Sequence, residues 1–377
     1  MQKAKKYEWQ DTNLALFGSQ TEKDVKKEAA ETEPAWKGCG QKVGLQIWRI
    51  VKFKVEHWNK EDYGDFFDGD SYIILNTFKE EDSEELNYDV HFWIGKHSTQ
   101  DEYGTAAYKT VELDTYLDDK PVQHREVMNK ESDLFKTYFK RLTYMNGGAD
   151  SGFRHVKPEE YPPRLLHCHM EGKGRKACLK INEERKVSKK CLRSDDVYFL
   201  DGGTKMFMWC GSSSKHDERF KAAQEFQSMT AKRPRAVKES LDEDEISPDH
   251  PFWDFFTDDD DDDDSGDDVD ADEDADDSKT FESVLFRLSN SSGVLDFTEV
   301  SKGNNICRSD LDSNDVFILD TGMDCFVWAG KDADKEEKNN GIPYATEYLK
   351  KTLHRNAPIS SLKEGSKCKK FTELIGR

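Results

Sequence analysis

The chain has no apolar stretch approaching the about eighteen residues that a membrane helix needs, so a helical bilayer span is not expected. Its opening, MQKAKKYEWQDTNLALFG, contains no apolar run long enough for a secretory signal. The eight cysteines include no C-x-x-C pair. In 377 residues an even cysteine count by itself implies no disulfide framework, and reduced thiols in the cytosol are the simpler expectation. No G-x-S-x-G, P-loop or dinucleotide glycine pattern occurs, which leaves no catalytic constellation and predicts a protein that is not an enzyme. Positive charge is in deficit. Lys and Arg number 56 against 77 Asp and Glu, for a net charge of -21, and phosphate repulsion then argues against nucleic acid as a partner.

The negative charge is concentrated. Residues 258–277 hold fifteen carboxylates and no Lys or Arg, and the rest of the chain carries about -6. Self-repulsion predicts an extended, solvated spacer there; weak divalent-ion binding or capture of a basic protein is the alternative role. Outside this tract, aromatic residues at 11% supply the large apolar groups that a core needs. Residues 1–40 are polar, and Ser19 and Glu22 form a capping-box pattern that predicts a charged helix to about Glu31.

Three copies of one pattern fill the remainder. Each begins with a leading strand at 44–50, 164–168 or 283–288. A central strand follows, GDSYIIL (69–75), DDVYFL (195–200) or NDVFIL (314–319), with the short apolar run of a strand buried on both faces. A third strand ends in Trp-x-Gly, at Trp93, Trp209 and Trp328, and a polar turn and helix start come next. The expected units are an arm (1–40), repeats at 41–158, 159–257 and 281–377, and an acidic linker at 258–280.

Each copy places an Asp at the start of its central strand and a Glu in the first helical turn: Asp70/Glu102, Asp196/Glu218 and Asp315/Glu337. Helix dipoles favour carboxylates at such positions without any ligand. Three occurrences on one strand–strand–helix frame instead predict a hard-oxygen cation site. Calcium tolerates irregular coordination by six to eight oxygens, whereas magnesium demands near-octahedral geometry.

These segments resemble the gelsolin family of calcium-regulated actin-binding proteins, in its three-domain severin type. The resemblance is carried by GLQIWRI (44–50), YGDFFDGDSYIIL (63–75), HFWIGKHSTQDEYGTAA (91–107), VELDTYLDDKPVQHRE (111–126), SGFRHV (151–156), FMWCGSSSKHDERFKAAQ (207–224), NDVFILD (314–320) and VWAGKDADKEE (327–337). It implies an α/β (α+β) fold of three gelsolin-like repeats, each a mixed central sheet flanked by a long and a short helix. It also implies calcium-dependent severing of actin filaments with barbed-end capping, nucleation being a further family activity. The alternatives are capping without severing, or an acidic calcium-buffering chaperone for basic proteins.

By resemblance, calcium falls on the Gly69 carbonyl, Asp70, Glu102 and the Ala149 carbonyl in the first repeat. It falls on the Asp195 carbonyl, Asp196 and Glu218 in the second, and on the Asn314 carbonyl, Asp315 and Glu337 in the third. A further calcium shared with actin maps to Asp114 and the carbonyls of Asp119 and Pro121, with Asp119 where the family usually has Gly. The helix at about 101–117 would enter actin's barbed-end cleft through Tyr103, Ala106, Thr110 and Asp114. The second repeat would grip the filament side through Arg164, Lys173, Arg175 and Lys176. The same residues with Lys180 would meet polyphosphoinositides, although the first repeat's lysine-rich lipid segment is missing at 142–146, and a solvated basic strand edge accounts for these residues equally well. Val197 stands opposite Cys210 where secreted relatives have a disulfide, so that bridge is excluded. The expected protein is monomeric when free and resides in the cytoplasm on the cytoskeleton. His167 and His169 share one strand face but lack the further ligands of a zinc site.

Overall fold

The structure is a computed structural model that describes residues 27, 30–80, 83–149, 162–172, 177–233, 235–256, 281–366 and 368–376. The acidic tract, most of the N-terminal arm, and Lys173, Arg175 and Lys176 lie outside the described residues. The first repeat comprises β1 (Gly44–Val51), β2 (Lys54–His57), β3 (Asp65–Phe67), β4 (Ser71–Phe78), β5 (Asn87–Ile94), α1 (Gln100–Tyr116), β6 (Val122–Val127), α2 (Asp133–Thr137) and β7 (Arg141–Met145). The second comprises β8 (Arg164–Glu171), β9 (Cys178–Glu183), β10 (Val197–Asp201), β11 (Lys205–Cys210), α3 (His216–Ala231) and β12 (Val237–Asp242). The third comprises β13 (Val284–Ser289), β14 (Asp296–Lys302), β15 (Val316–Asp320), β16 (Cys325–Ala329), α4 (Lys335–Leu349), β17 (Ile359–Lys363) and α5 (Lys369–Ile375).

The apolar runs of the central strands alternate between two cores, as period-two geometry requires. On β4, Ile73 and Leu75 join Ala106 and Leu113 of the long helix, while Tyr72 and Ile74 face Trp93, Phe66 and Phe135. Val197 and Phe199 face α3 with Ala222 and Phe226; Tyr198 and Leu200 face Trp209 and Phe252. In the third repeat, Val316 and Ile318 face α4, and Phe317 and Leu319 face Phe371 and Ile375 of α5. The first and third repeats thus have a short α-helix on the second face, and the second has a 3-10 turn at Trp253–Phe255.

The glycine after each Trp strand has a common cause. A Cβ on Gly95, Gly211 or Gly330 would lie 2.3, 2.3 or 2.2 Å from the carbonyl oxygen of Asp68, Ser194 or Ser313. That approach lets each glycine N–H donate to the carbonyl of Asp70, Asp196 or Asp315, at 3.0 Å in all three. The backbone of the site aspartate is therefore held identically three times.

The sheets do not follow the repeat boundaries. β17 of the third repeat pairs antiparallel with β6 of the first, making one ten-stranded sheet in the order β14-β13-β15-β16-β17-β6-β5-β4-β1-β2. β7 and β3 of the first repeat leave their own sheet and complete a seven-stranded sheet with the second, in the order β12-β11-β10-β8-β9-β7-β3. Val197 sits directly opposite Cys210, and the eight cysteines are all free.

Candidate functional site

The three acidic pairs rest on the same frame but in different electrostatic settings. In the first repeat Asp70 is fully buried. Its Oδ1 accepts the Ala149 N–H at 2.8 Å, and Oδ2 pairs with the Arg49 guanidinium reaching across from β1. A Cβ on Gly148 would come within 2.7 Å of Oδ1, so the backbone here is packed onto the carboxylate. Burial pushes the Asp70 carboxyl up, against the Ala149 N–H and Arg49, and Glu102 adds to the rise. Glu102 is itself engaged in a capping box: its Oε2 accepts the Thr99 N–H at 3.1 Å, and Thr99 Oγ1 accepts the Glu102 N–H at 3.3 Å. Gly69 lies against the Gly147 carbonyl, which accepts its N–H at 2.8 Å.

The third repeat repeats this scheme. Arg287 of β13 pairs with the buried Asp315 at 2.6 Å. Glu337 closes a capping box on Asp334, with Oε2 accepting the Asp334 N–H at 3.1 Å, while Oε1 accepts the Asn290 N–H at 2.5 Å. Asn314 is exposed.

The second repeat differs at both carboxylates. The residue reaching Asp196 from the leading strand is a histidine, His167, with Nε2 2.8 Å from Oδ2. The helix N-cap is Lys215, which makes no side-chain cap, so Glu218 belongs to no capping box. Its Oε2 accepts the Met170 N–H at 3.3 Å, but Oε1 is buried with no hydrogen-bond partner among the described residues. Burial, reinforced by Asp196 and Asp195, pushes the Glu218 carboxyl up to about 7. A buried carboxylate oxygen with no donor costs free energy that a bound cation would remove. The residues present therefore fit a hard cation, and this pair fits it best. Asp195 is exposed beside it.

A fourth oxygen cluster lies at the C-terminal end of α1. Asp114 is buried and receives the Gln123 amide at 2.9 Å. The ammonium of Lys363, from the end of β17, lies 3.2 and 3.1 Å from its two carboxylate oxygens and also donates to the Asp119 carbonyl. Burial raises the Asp114 carboxyl and Lys363 opposes the rise. Asp119 has φ 57°, the left-handed region, which explains why glycine suits this position and why Asp, tolerant of that region, can replace it. Pro121 is buried next to it.

The long helix corrects part of the expected partner face. Ala106 and Thr110 are fully buried against the sheet, so neither presents a side chain outward. The outward apolar residues are Tyr108 and Val111, 67% and 54% exposed, with the less exposed Tyr103 at their margin. At about 100° per residue Tyr108 and Val111 share the outward side, Ala106 and Thr110 share the sheet side, and Tyr103 lies at the margin between them. Lys180 is also corrected. It is fully buried, its ammonium 3.0 Å from Glu131 Oε2 and 2.5 Å from Glu171 Oε2, and no headgroup can reach it here. Arg164 pairs with the buried Asp201 at 2.9 Å. Sequence reasoning missed Lys363, 249 residues from its partner Asp114. It also missed Arg49, His167 and Arg287, whose recurrence on the leading strands was visible in WRI, LLH and LFR.

One further cluster brings His91, His124 and Glu126 together, all buried. The two imidazoles stack with centroids 4.3 Å apart and planes 16° apart, so their in-plane lone pairs run side by side instead of converging on one ion. Their nitrogens are taken by Glu126 at 2.9 Å, Tyr138 at 3.1 Å, Ser360 at 2.9 Å and Asp89 at 3.4 Å. This is a hydrogen-bond network across the joint between first and third repeats.

Three sheet-and-helix repeats with acidic pairs at the strand and helix starts define a binding protein built from one module used three times. The gelsolin-repeat profile matches residues 53–136, 180–245 and 298–372. The chain is 51% identical over 374 residues to gelsolin-like protein 2 of Lumbricus terrestris, covering 99% of this chain and 98% of that one. It is 41% identical over 369 residues to severin of Echinococcus granulosus (95% and 94% covered), and 36% identical over 353 residues to gelsolin of Gallus gallus (89% and 43%). The chain belongs to the gelsolin family, whose members are actin-binding regulators and not enzymes.

Proposed function

We propose that this protein severs actin filaments in response to calcium and then caps the new barbed ends. The carrying observation is the exposed pair Tyr108 and Val111 on α1, with Tyr103 at its margin, on the helix that ends in the acidic cluster at Asp114. Exposed aromatic and apolar side chains of this kind mark a protein-binding surface. In this reading α1 wedges between actin subunits, and Arg164 with Lys173, Arg175 and Lys176 docks the second repeat on the filament side. Calcium would be held by Asp196 and Glu218 first, then by Asp70/Glu102, Asp315/Glu337 and Asp114. It would supply positive charge where Arg49, Arg287 and Lys363 now supply it, and at Asp196 where the structure has only the hydrogen bond with His167. The protein works as a monomer in the cytoplasm on the cytoskeleton, and anionic lipid headgroups compete with actin for the basic segment.

Fluorescence imaging of single filaments tests this reading. With calcium, filaments should acquire breaks and stop growing at barbed ends; with chelator, both effects should vanish. Caps without breaks would reduce the activity to capping, and neither effect would overturn the reading. Tyr108→Asp should weaken capping about tenfold or more, because a charge replaces a central apolar contact, with thermal unfolding unchanged.

A further inference from the structure

The oxygen cluster at Asp114 already holds a cation, and that cation belongs to another repeat. Lys363 is the last residue of β17. Its ammonium meets both Asp114 oxygens and the Asp119 carbonyl, and an ammonium has three protons for these three acceptors. Asp114 and Asp119 supply two of the three ligands expected for the cation shared with a partner. Like charges a few ångströms apart repel strongly in a partly buried setting, so an ammonium and a divalent ion exclude one another at these oxygens. The strand that carries Lys363 pairs with the first repeat over a short ladder of three residue pairs, Ile359 with Arg125, Ser360 with His124 and Ser361 with Gln123, and Val122 packs against the core that holds its Leu362. Lys363 can leave with its strand.

We propose that Lys363 is a tethered competitor for the divalent-cation position at Asp114, so that filling this position and keeping the third repeat docked on the first are mutually exclusive. The inference rests on the cation-site part of the proposed function and adds to it a specific internal rival. Lys363 thereby sets the calcium concentration at which the first repeat is released. Reciprocity follows from linkage: whatever calcium gains by displacing the lysine, the docked third repeat must oppose with the same free energy.

The test follows the radius of gyration of the full chain by small-angle X-ray scattering as calcium chloride is titrated from chelator, without actin. Lys363→Met keeps the side-chain length and removes the charge. It should lower the calcium midpoint of expansion roughly fivefold, the scale of a partly exposed charge pair, whereas Lys363→Arg should stay near the wild type. In an Asp114→Asn background Lys363→Met should have no further effect. If Lys363→Met misfolds by circular dichroism, Lys363→Gln takes its place. An unchanged or raised midpoint, or a full shift that persists with Asp114→Asn, overturns the proposal, as does a radius indifferent to calcium. Filament imaging still judges the actin reading separately, since no actin enters this measurement.

Discussion

The first repeat meets its two neighbours in opposite ways. Toward the second it contributes two of its own strands to a shared sheet and shares a core, with Cys178 packed among Phe66, Phe135, Leu142 and Tyr144. Buried ions lie at this junction. Lys180 bridges Glu131 and Glu171, and Glu131 Oε1 also accepts from Trp93 at 3.0 Å and Tyr144 at 2.6 Å. Arg141 of β7 reaches Glu225 of α3 at 2.7 Å. Toward the third repeat the described contacts include three backbone-paired residue pairs, a side-chain hydrogen bond between Ser360 and His124, Val122 packed against the third repeat's core, and the half-exposed Lys363 at Asp114. Desolvated ions with every oxygen engaged make a junction costly to open, and a short strand edge ending in a partly solvated ion pair makes one cheap to open. The difference assigns stability to one junction and switching to the other.

The largest test of that contrast is Lys180→Ala, which strands the buried Glu131 carboxylate and leaves the part-exposed Glu171 with Lys136. It should cost about 3–5 kcal/mol in urea unfolding and leave the calcium response of the surviving folded protein unaltered. Acid should weaken the same junction next. His169 on β8 is held down to about 4, chiefly by burial and then by His167 and Lys180. Its unfolded form takes a proton near pH 6.5 and its folded form does not, so stability present above pH 6.5 should be lost as pH falls toward 4. The loss is about 2–3 kcal/mol, and His169→Gln should flatten the profile. At the weaker junction, Ser360→Ala removes a single hydrogen bond, worth about 1 kcal/mol. It should speed hydrogen exchange at 359–363 several-fold while leaving exchange at 141–145 unchanged. The smallest effect is Lys120→Ala, which breaks an exposed pair with Glu85 and should move the melting transition by less than about 0.5 kcal/mol. A large change there, or a mild one at Lys180, would reverse the assignment.

Glu218 shows how far a repeated motif can be read along one dimension. The three Asp/Glu pairs look equivalent in the sequence, because the strand start, Trp-x-Gly and helix start recur at matched spacing. The helix cap separates them. Thr99 and Asp334 turn Glu102 and Glu337 into capping-box partners, while Lys215 offers no oxygen and leaves Glu218 with a bare Oε1. That distinction was legible, since Thr, Asp and Lys stand three residues before each Glu. The partner face of α1 was only half legible. Its extent and its Asp114 followed from the family resemblance, but placing Ala106 and Thr110 outward missed the helical phase set by the sheet beneath.

The sequence alone determined the three modules, their two-faced central strands and the carboxylates at strand and helix starts, because these depend on periodicity, capping and backbone reach within about a hundred residues. Only the tertiary structure decided that β7 and β3 complete the second repeat's sheet and that β17 extends the first. It also decided that Lys180 is a buried strut and that Lys363 sits on Asp114. The physical reason is that strand-edge pairing and ion pairing between repeats depend on shape and desolvation across 49 to 249 residues, and no local pattern records them.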